Sequence, residues 1–172
     1  MIKGQDILVL LHLLDAPDSW TVRSIGAALD LDPAGVHRAL QRLEDGRLID
    51  VERQQVNRSN AEEFLVHGVR YLFPIRQGGL VRGMPTAWAA PPLSDELAPS
   101  DEPPPVWPDS DGRARGVALE PLHGNATAAA RANPELAKRL YLIDALRLGD
   151  GRVRSLATKN LTENLGTSAG RR

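Results

Sequence analysis

The sequence predicts an α-rich α+β fold with helices at both ends and an irregular middle. Apolar residues recur at helical spacing near both termini, with short β-prone runs between the helices. Eight of the 13 prolines lie between Pro85 and Pro108, where they interrupt regular elements. We divide the 172 residues into three segments: a helix-rich N-terminal domain over residues 1–76, a proline- and acid-rich irregular strap over residues 77–125, and C-terminal helices over residues 126–172.

Composition argues against several classes of function. The chain has no cysteine, so it has neither a disulfide framework nor a thiolate metal site. Its four histidines lack metal-ligand spacing, and no G-x-S-x-G motif is present, so we predict no metal, no other cofactor and no enzymatic activity. The N-terminal apolar run is too short to span a bilayer and no cleavage site follows it. We therefore expect a cytoplasmic protein without a membrane partner.

Three helices are predicted in the N-terminal segment. The first covers residues 2–14, where apolar side chains recur at helical spacing. A second covers residues 23–29, and a tight turn separates it from the third. Asp32 is a suitable N-cap for this third helix, with proline at its first position, and a glycine stops it after Asp45. Two helices joined by a tight turn form the frame of a helix-turn-helix.

The third helix has an apolar side and a polar side. Val36, Leu40 and Leu43 recur at i, i+4 and i+7, and are predicted to face the core. The polar side is predicted to face outward and to contact DNA through Ala34, Gly35, His37, Arg38, Gln41 and Arg42.

These outward residue types suit the major groove of double-stranded DNA. Arg38 and Gln41 carry the groups that read guanine or adenine. The two small residues at the helix start allow a close approach to base edges, and His37 suits a base or a phosphate. Phosphate contacts are predicted for Arg42 and for Arg23 of the second helix.

The stretch resembles the winged helix-turn-helix domains of bacterial transcriptional regulators, the MarR-like kind in particular. The resemblance is carried by a short strand at residues 20–22, by SIGAALDL, by the turn, and by VHRALQRLEDGRLI, which is similar to a recognition helix and the strand that begins the wing. It covers roughly residues 1–51 and implies a sequence-specific regulator that binds DNA as a homodimer. A chain with a net charge of −1 would bind DNA only weakly as a monomer.

The sequence departs from the family pattern at the wing. The family's wing is a hairpin directly after the strand, which here covers residues 48–51. A helix over residues 59–67 is predicted to intervene before residues 70–75 pair back as a strand. The basic candidates for a DNA-binding wing tip are Arg53 and Arg58.

The remaining chain offers candidates for protein contacts. Trp88 lies in the apolar, proline-stiffened stretch GMPTAWAAPPL, which either packs as a strap against the core or docks a partner protein. A helix over Pro134–Leu148 carries Leu140 and Ile143, which either form a dimer interface or pack on the first helix. These residues support an alternative function: an interaction module, such as the regulatory or antitoxin-like half of a two-protein system.

Charged residues alternate along the same C-terminal helix. Arg139, Asp144 and Arg147 are predicted to form a solvated face. A second helix is predicted over residues 153–165, and residues 166–172 are expected to fray.

Overall fold

The computed structural model describes residues 1–169 as an α-rich α+β fold, which confirms the predicted class. Its helices are α1 (Gly4–Leu13), α2 (Val22–Leu29), α3 (Pro33–Asp45), α4 (Arg58–Glu63), α5 (Val69–Leu72), α6 (Leu93–Glu96), α7 (Ala126–Ala132), α8 (Pro134–Leu148) and α9 (Gly151–Ala169). Its strands are β1 (Ile49–Asp50), β2 (Gln55–Val56), β3 (Gln77–Pro85), β4 (Pro105–Pro108) and β5 (Ala114–Leu119). A π-type turn, Phe64–Gly68, joins α4 to α5, and a 3₁₀ turn covers Ala87–Ala89. Residues 170–172 of the tail predicted to fray lie outside the described residues.

The helix-turn-helix is present and both of its helices are capped. Thr21 Oγ1 accepts a hydrogen bond from the amide of Ser24 at 3.0 Å, and Asp32 Oδ1 accepts one from the amide of Gly35 at 2.8 Å. These bonds satisfy amides that the first helical turns leave open. Asp30 ends α2 with φ at 53°, in the left-handed region that aspartate tolerates better than most residues.

Two predicted strands are wrong. Residues 20–22 instead lead into α2, because Thr21 is its N-cap and Trp20 is buried in the core. Residues 70–75 fall partly in α5, since α4, the π-type turn and α5 follow one another without a break. In both places a β-prone composition is overridden by capping or by packing.

A short hairpin follows α3 directly and forms the wing. β1 and β2 pair antiparallel, with Ile49 opposite Val56 and Asp50 opposite Gln55. The predicted departure from the family pattern is therefore wrong, because α4 comes after the wing rather than inside it. Strands of two residues are too short to show an alternating pattern in a sequence.

The middle segment, predicted to be irregular, contains a three-stranded sheet, which corrects that prediction. β3 pairs antiparallel with both β4 and β5, and β4 pairs parallel with β5, so the strands close on one another. Closure requires glycine at two close approaches. A Cβ at Gly83 would overlap the carbonyl oxygen of Trp107, and one at Gly116 would overlap that of Pro104.

Helix α8 lies inside a core that runs through all three predicted segments. Leu140 and Ile143 are 1% and 0% exposed, so their predicted use as contacts for another chain is wrong. They pack within the chain, which was the alternative to a dimer interface. The division into three segments stays a prediction.

The side chains of Arg139, Asp144 and Arg147 of α8 are buried as well, which corrects the predicted solvated face. Asp144 accepts hydrogen bonds from Thr86 Oγ1 at 2.7 Å, Trp107 Nε1 at 2.7 Å and Arg147 Nη1 at 2.8 Å. Burial raises the pKa of Asp144, while the charge of Arg147 and the hydrogen bonds act in the opposite direction. Through this carboxylate, two parts of the strap are attached to α8: the segment at Thr86 and strand β4 at Trp107.

Arg139 is the second buried charge of α8. Its Nη1 and Nη2 donate to the carboxylate of Asp15 at 2.6 and 3.0 Å, and its Nε donates to Asn164 Oδ1 at 2.6 Å. Arg139 therefore joins α8 to the segment after α1 and to α9.

Candidate nucleic-acid interface

The outward side of α3 presents four of the predicted DNA contacts to solvent. Val36, Leu40 and Leu43 are buried beneath the helix. The exposed side chains are Ala34, His37, Arg38 and Gln41. Within residues 1–169, the guanidinium of Arg38 forms no hydrogen bond or ion pair, so its five donors are available to a ligand. The predicted orientation agrees with the structure at these four positions, and their contact with DNA stays a prediction.

Gly35 does not face outward, which corrects its predicted position. It is buried, and a Cβ there would lie 2.8 Å from Asp32 Oδ2 and 3.0 Å from Gln5 Nε2. The residue is small because the N-cap of α3 and the neighbouring α1 occupy the space. A close approach of the helix start to bases therefore depends on Ala34 alone.

Arg42 also turns inward, against the prediction of a phosphate contact. Its Nε and Nη2 donate to the two carboxylate oxygens of Asp6 at 2.7 and 2.6 Å, and the Asp6 side chain is fully buried. The hydrogen bond to Asp6 raises the pKa of Arg42, although partial burial acts against it. This bidentate pair attaches α3 to α1. An acidic residue among the apolar side chains of α1 was the sequence signal that could have revealed the pair.

The two wing candidates differ. Arg53 lies in the turn between β1 and β2 with 78% of its side chain exposed, and among the described residues its only ion pair is a loose one of 3.7 Å with Asp50. Arg58 instead donates to the backbone oxygens of Leu14 at 2.9 Å and Leu165 at 3.3 Å. Arg58 therefore links the end of α1 to α9, and its prediction as a wing-tip residue is wrong.

Two residues that sequence reasoning missed brace the interface. Asn125 Nδ2 donates to the carbonyl oxygens of Leu29 at 3.1 Å and Asp30 at 2.7 Å, at the turn between α2 and α3. Gln54 Nε2 donates to the carbonyl oxygen of Trp20 at 2.6 Å and holds the wing against the start of α2. No local sequence pattern marks either residue, because their partners are distant in the chain. The Asn125 contacts span 95 and 96 positions, and the Gln54 contact spans 34.

The remaining predicted residues are on the surface or near it. Arg23 is exposed in the first turn of α2. Trp88 is half-buried in the wall of an open cleft of about 570 Å³, with Leu97 and Leu148 beside it. The cleft lies where the strap meets the turn between α8 and α9. A contact of Trp88 with a partner protein stays a prediction.

Helices α1 to α3 and the hairpin β1–β2 define a winged helix-turn-helix domain. Residues 2–58 match the model of the MarR family, a family of transcriptional regulators, so this third of the chain is a MarR-like domain. No curated protein and no solved structure matches the chain. In residues 1–169, no helix combines the length and the apolar character that crossing a bilayer requires.

Proposed function

We propose that the protein is a sequence-specific, DNA-binding transcriptional regulator that acts in the cytoplasm as a homodimer. The observation that carries the proposal is the outward side of α3, where Arg38 and Gln41 are exposed on a helix whose other side is buried. This is the arrangement that lets a helix enter the major groove. The match of residues 2–58 to a regulator family supports the same function.

Each exposed residue has a distinct role in the proposal. Arg38 donates to base edges and is suited to guanine, while the amide of Gln41 donates to and accepts from them. His37 contacts a base or a phosphate, while Ala34 allows the helix start to approach. Phosphate contacts come from Arg23 and Arg53, whose side chains are exposed on α2 and on the wing respectively.

The homodimer is proposed because helix-turn-helix proteins usually read two half-sites one helical turn apart. Leu140 and Ile143 do not provide its interface, since both are buried within one chain. Tyr71 and Leu72 at the end of α5, which are 70% and 52% exposed, are the better candidates for contacts between copies. Sedimentation of the full chain with and without DNA tests this part of the proposal.

The base-reading role is tested by selecting duplexes from a random library with the full-length protein. The selected duplex is then titrated with the wild type and with Arg38→Ala. We expect the variant to bind it with about 1–3 kcal/mol less affinity, which is the discrimination that one good bidentate base contact provides. Binding to an unselected duplex should change much less.

The control variant is Arg152→Ala, which removes an exposed arginine from α9. It should leave selection and affinity unchanged. A library that yields no common sequence, or equal affinity of wild type and Arg38→Ala for the selected duplex, would contradict the proposal.

A further inference from the structure

A second basic surface lies outside the winged domain, on the ribbon that β3 and β5 form. Arg82 of β3 and Arg115 of β5 are directly opposite each other in antiparallel register, and both are exposed. Arg113, just before β5, is exposed as well. Within residues 1–169, none of these three guanidinium groups forms a hydrogen bond or an ion pair. We call these residues the ribbon arginines.

The internal structure of the ribbon does not explain the ribbon arginines. Like charges directly opposite each other destabilise a pair of strands. Their side chains are exposed, whereas the next residue of each strand is a buried glycine: Gly83, which lies opposite Ala114, and Gly116, which lies opposite Val81. The three-stranded sheet is closed, so the ribbon is not an open edge waiting for another strand.

The acidic residues near the ribbon do not neutralise it. Asp109 follows β4 and forms its ion pair with Arg131 of α7. Asp111 lies in the turn before β5, and Glu120 lies beyond the other end of β5. Among the described residues, neither forms an ion pair with a ribbon arginine.

We propose that the ribbon arginines bind the phosphate backbone of double-stranded DNA, in addition to the contacts of α3. Residues opposite each other in such a ribbon have Cβ atoms about 5 Å apart, so their guanidinium groups form an open row. An open row of positive charges suits DNA, which carries a negative phosphate at every nucleotide. The guanidinium group of arginine binds a phosphate with two parallel hydrogen bonds. The inference rests on the proposed function, because the winged domain brings the duplex to the protein.

The contact is independent of base sequence, and this makes it measurable apart from α3. Each neutralised phosphate changes the dependence of log K on log salt concentration by about 0.9. The full-length protein is titrated with a labelled duplex of fixed random sequence at several salt concentrations. The duplex should have about 30 base pairs, roughly three helical turns. The wild type is compared with Arg82→Gln/Arg115→Gln.

We expect the salt dependence of the double variant to be shallower by about 2, which corresponds to two lost phosphate contacts. The matched control is Arg152→Gln/Lys159→Gln, which removes two exposed positive charges from α9. It should retain the slope of the wild type. Circular dichroism of both variants verifies that they are folded.

Three results would overturn the proposal. The first is an unchanged slope in Arg82→Gln/Arg115→Gln. The second is an equal reduction in the control, which would make the effect one of net charge. The third is binding of poly-glutamate that only the ribbon variant loses, with an unchanged DNA slope, which would make the partner an acidic protein.

The duplex selected for α3 separates a failure of this inference from a failure of the proposed function. If only the ribbon contact is absent, Arg38→Ala still loses the selected duplex while Arg82→Gln/Arg115→Gln keeps its slope. If only base reading is absent, no sequence is preferred and Arg38→Ala equals the wild type, while the ribbon variant still has a shallower slope on the random duplex.

Discussion

Helices α3 and α8 both place arginines among leucines, yet these arginines lie in different surroundings. On α3 the leucines are buried and Arg38 is in solvent, whereas on α8 both the leucines and Arg139 are buried. The difference lies in their neighbours. α3 packs by one side against α1 and α2, while α8 contacts α1, α7, α9 and the strap and keeps exposed charges only near its start, at Glu135 and Lys138. A charge pattern therefore predicts a solvated face only for a helix that has a free side.

The same comparison explains which charges remain available for function. A charge inside the fold must be paired, because removal from water is costly without a partner. Asp144 meets this requirement by pairing with Arg147, and Arg139 meets it by pairing with Asp15. In α3 the requirement applies to Arg42, which pairs with the buried Asp6. It does not apply to Arg38, which is exposed and has no partner among the described residues.

The largest effect is expected where a buried charge of α8 is removed. Asp144→Ala leaves the guanidinium of Arg147, whose side chain is 5% exposed, without its carboxylate. It also leaves Thr86 and Trp107 without their acceptor. We expect the free energy of unfolding to fall by about 3–5 kcal/mol, as measured by urea denaturation.

The control for that variant is a charge of α8 that the structure leaves in solvent. Lys138 forms an ion pair with Glu135 at 2.9 Å, with side chains 44% and 53% exposed. Lys138→Ala should change the free energy of unfolding by less than about 1 kcal/mol. If Asp144→Ala were as mild as Lys138→Ala, the two sides of α8 would not differ in the way the structure indicates.

A smaller effect should separate two arginines of α3 that lie four positions apart. Arg42→Ala removes the cation from the buried carboxylate of Asp6, which retains the hydrogen bond from the amide of Lys3, so we expect a loss of about 2–3 kcal/mol in the free energy of unfolding. Arg38→Ala removes an exposed side chain and should stay within about 0.5 kcal/mol of the wild type. Denaturation of both variants, followed by tryptophan fluorescence, measures the difference.

Equal stability of the two variants would contradict the division of α3 into a structural and a functional side. Arg42→Lys provides a further check, because it keeps the charge and loses the bidentate geometry. Its stability should fall between those of the wild type and Arg42→Ala.

The local part of this structure could be predicted from the sequence. The start of α3 is encoded by Asp32 and the following proline, and its buried side by the spacing of Val36, Leu40 and Leu43. These interactions join residues only a few positions apart, so they can be recognised directly in the sequence. For that reason the sequence predicts the helix-turn-helix, and four of the six predicted outward positions of α3 are exposed in the structure.

The rest depends on contacts between distant positions. Nothing in the sequence around Asp15 indicates that it pairs with Arg139, because the two residues are 124 positions apart. Gly83 could not be recognised as part of a strand, because its close approach to Trp107 of β4 is visible only once the strands are paired. The returning strand of the wing was not predicted for a different reason, since β2 has only two residues.

Asn125 connects a distant segment of the chain to the turn of the helix-turn-helix, and its removal should have a smaller effect than the removal of Asp144 or Arg42. Asn125→Ala deletes the hydrogen bonds to the carbonyl oxygens of Leu29 and Asp30, at positions where water can replace them. We expect a loss of about 1 kcal/mol in the free energy of unfolding.

The local consequence should be larger than the global one. The amide of Leu31 closes the turn by donating to the carbonyl oxygen of Gly26 at 3.0 Å, and without Asn125 this amide should exchange its hydrogen faster. Asn160→Ala is the matched control, because in the described part of the chain the side chain of Asn160 donates only to the carbonyl oxygen of Leu156 within α9. Unchanged exchange at Leu31 in Asn125→Ala would mean that the distant segment does not support the turn, and that the local sequence alone holds α3 in place.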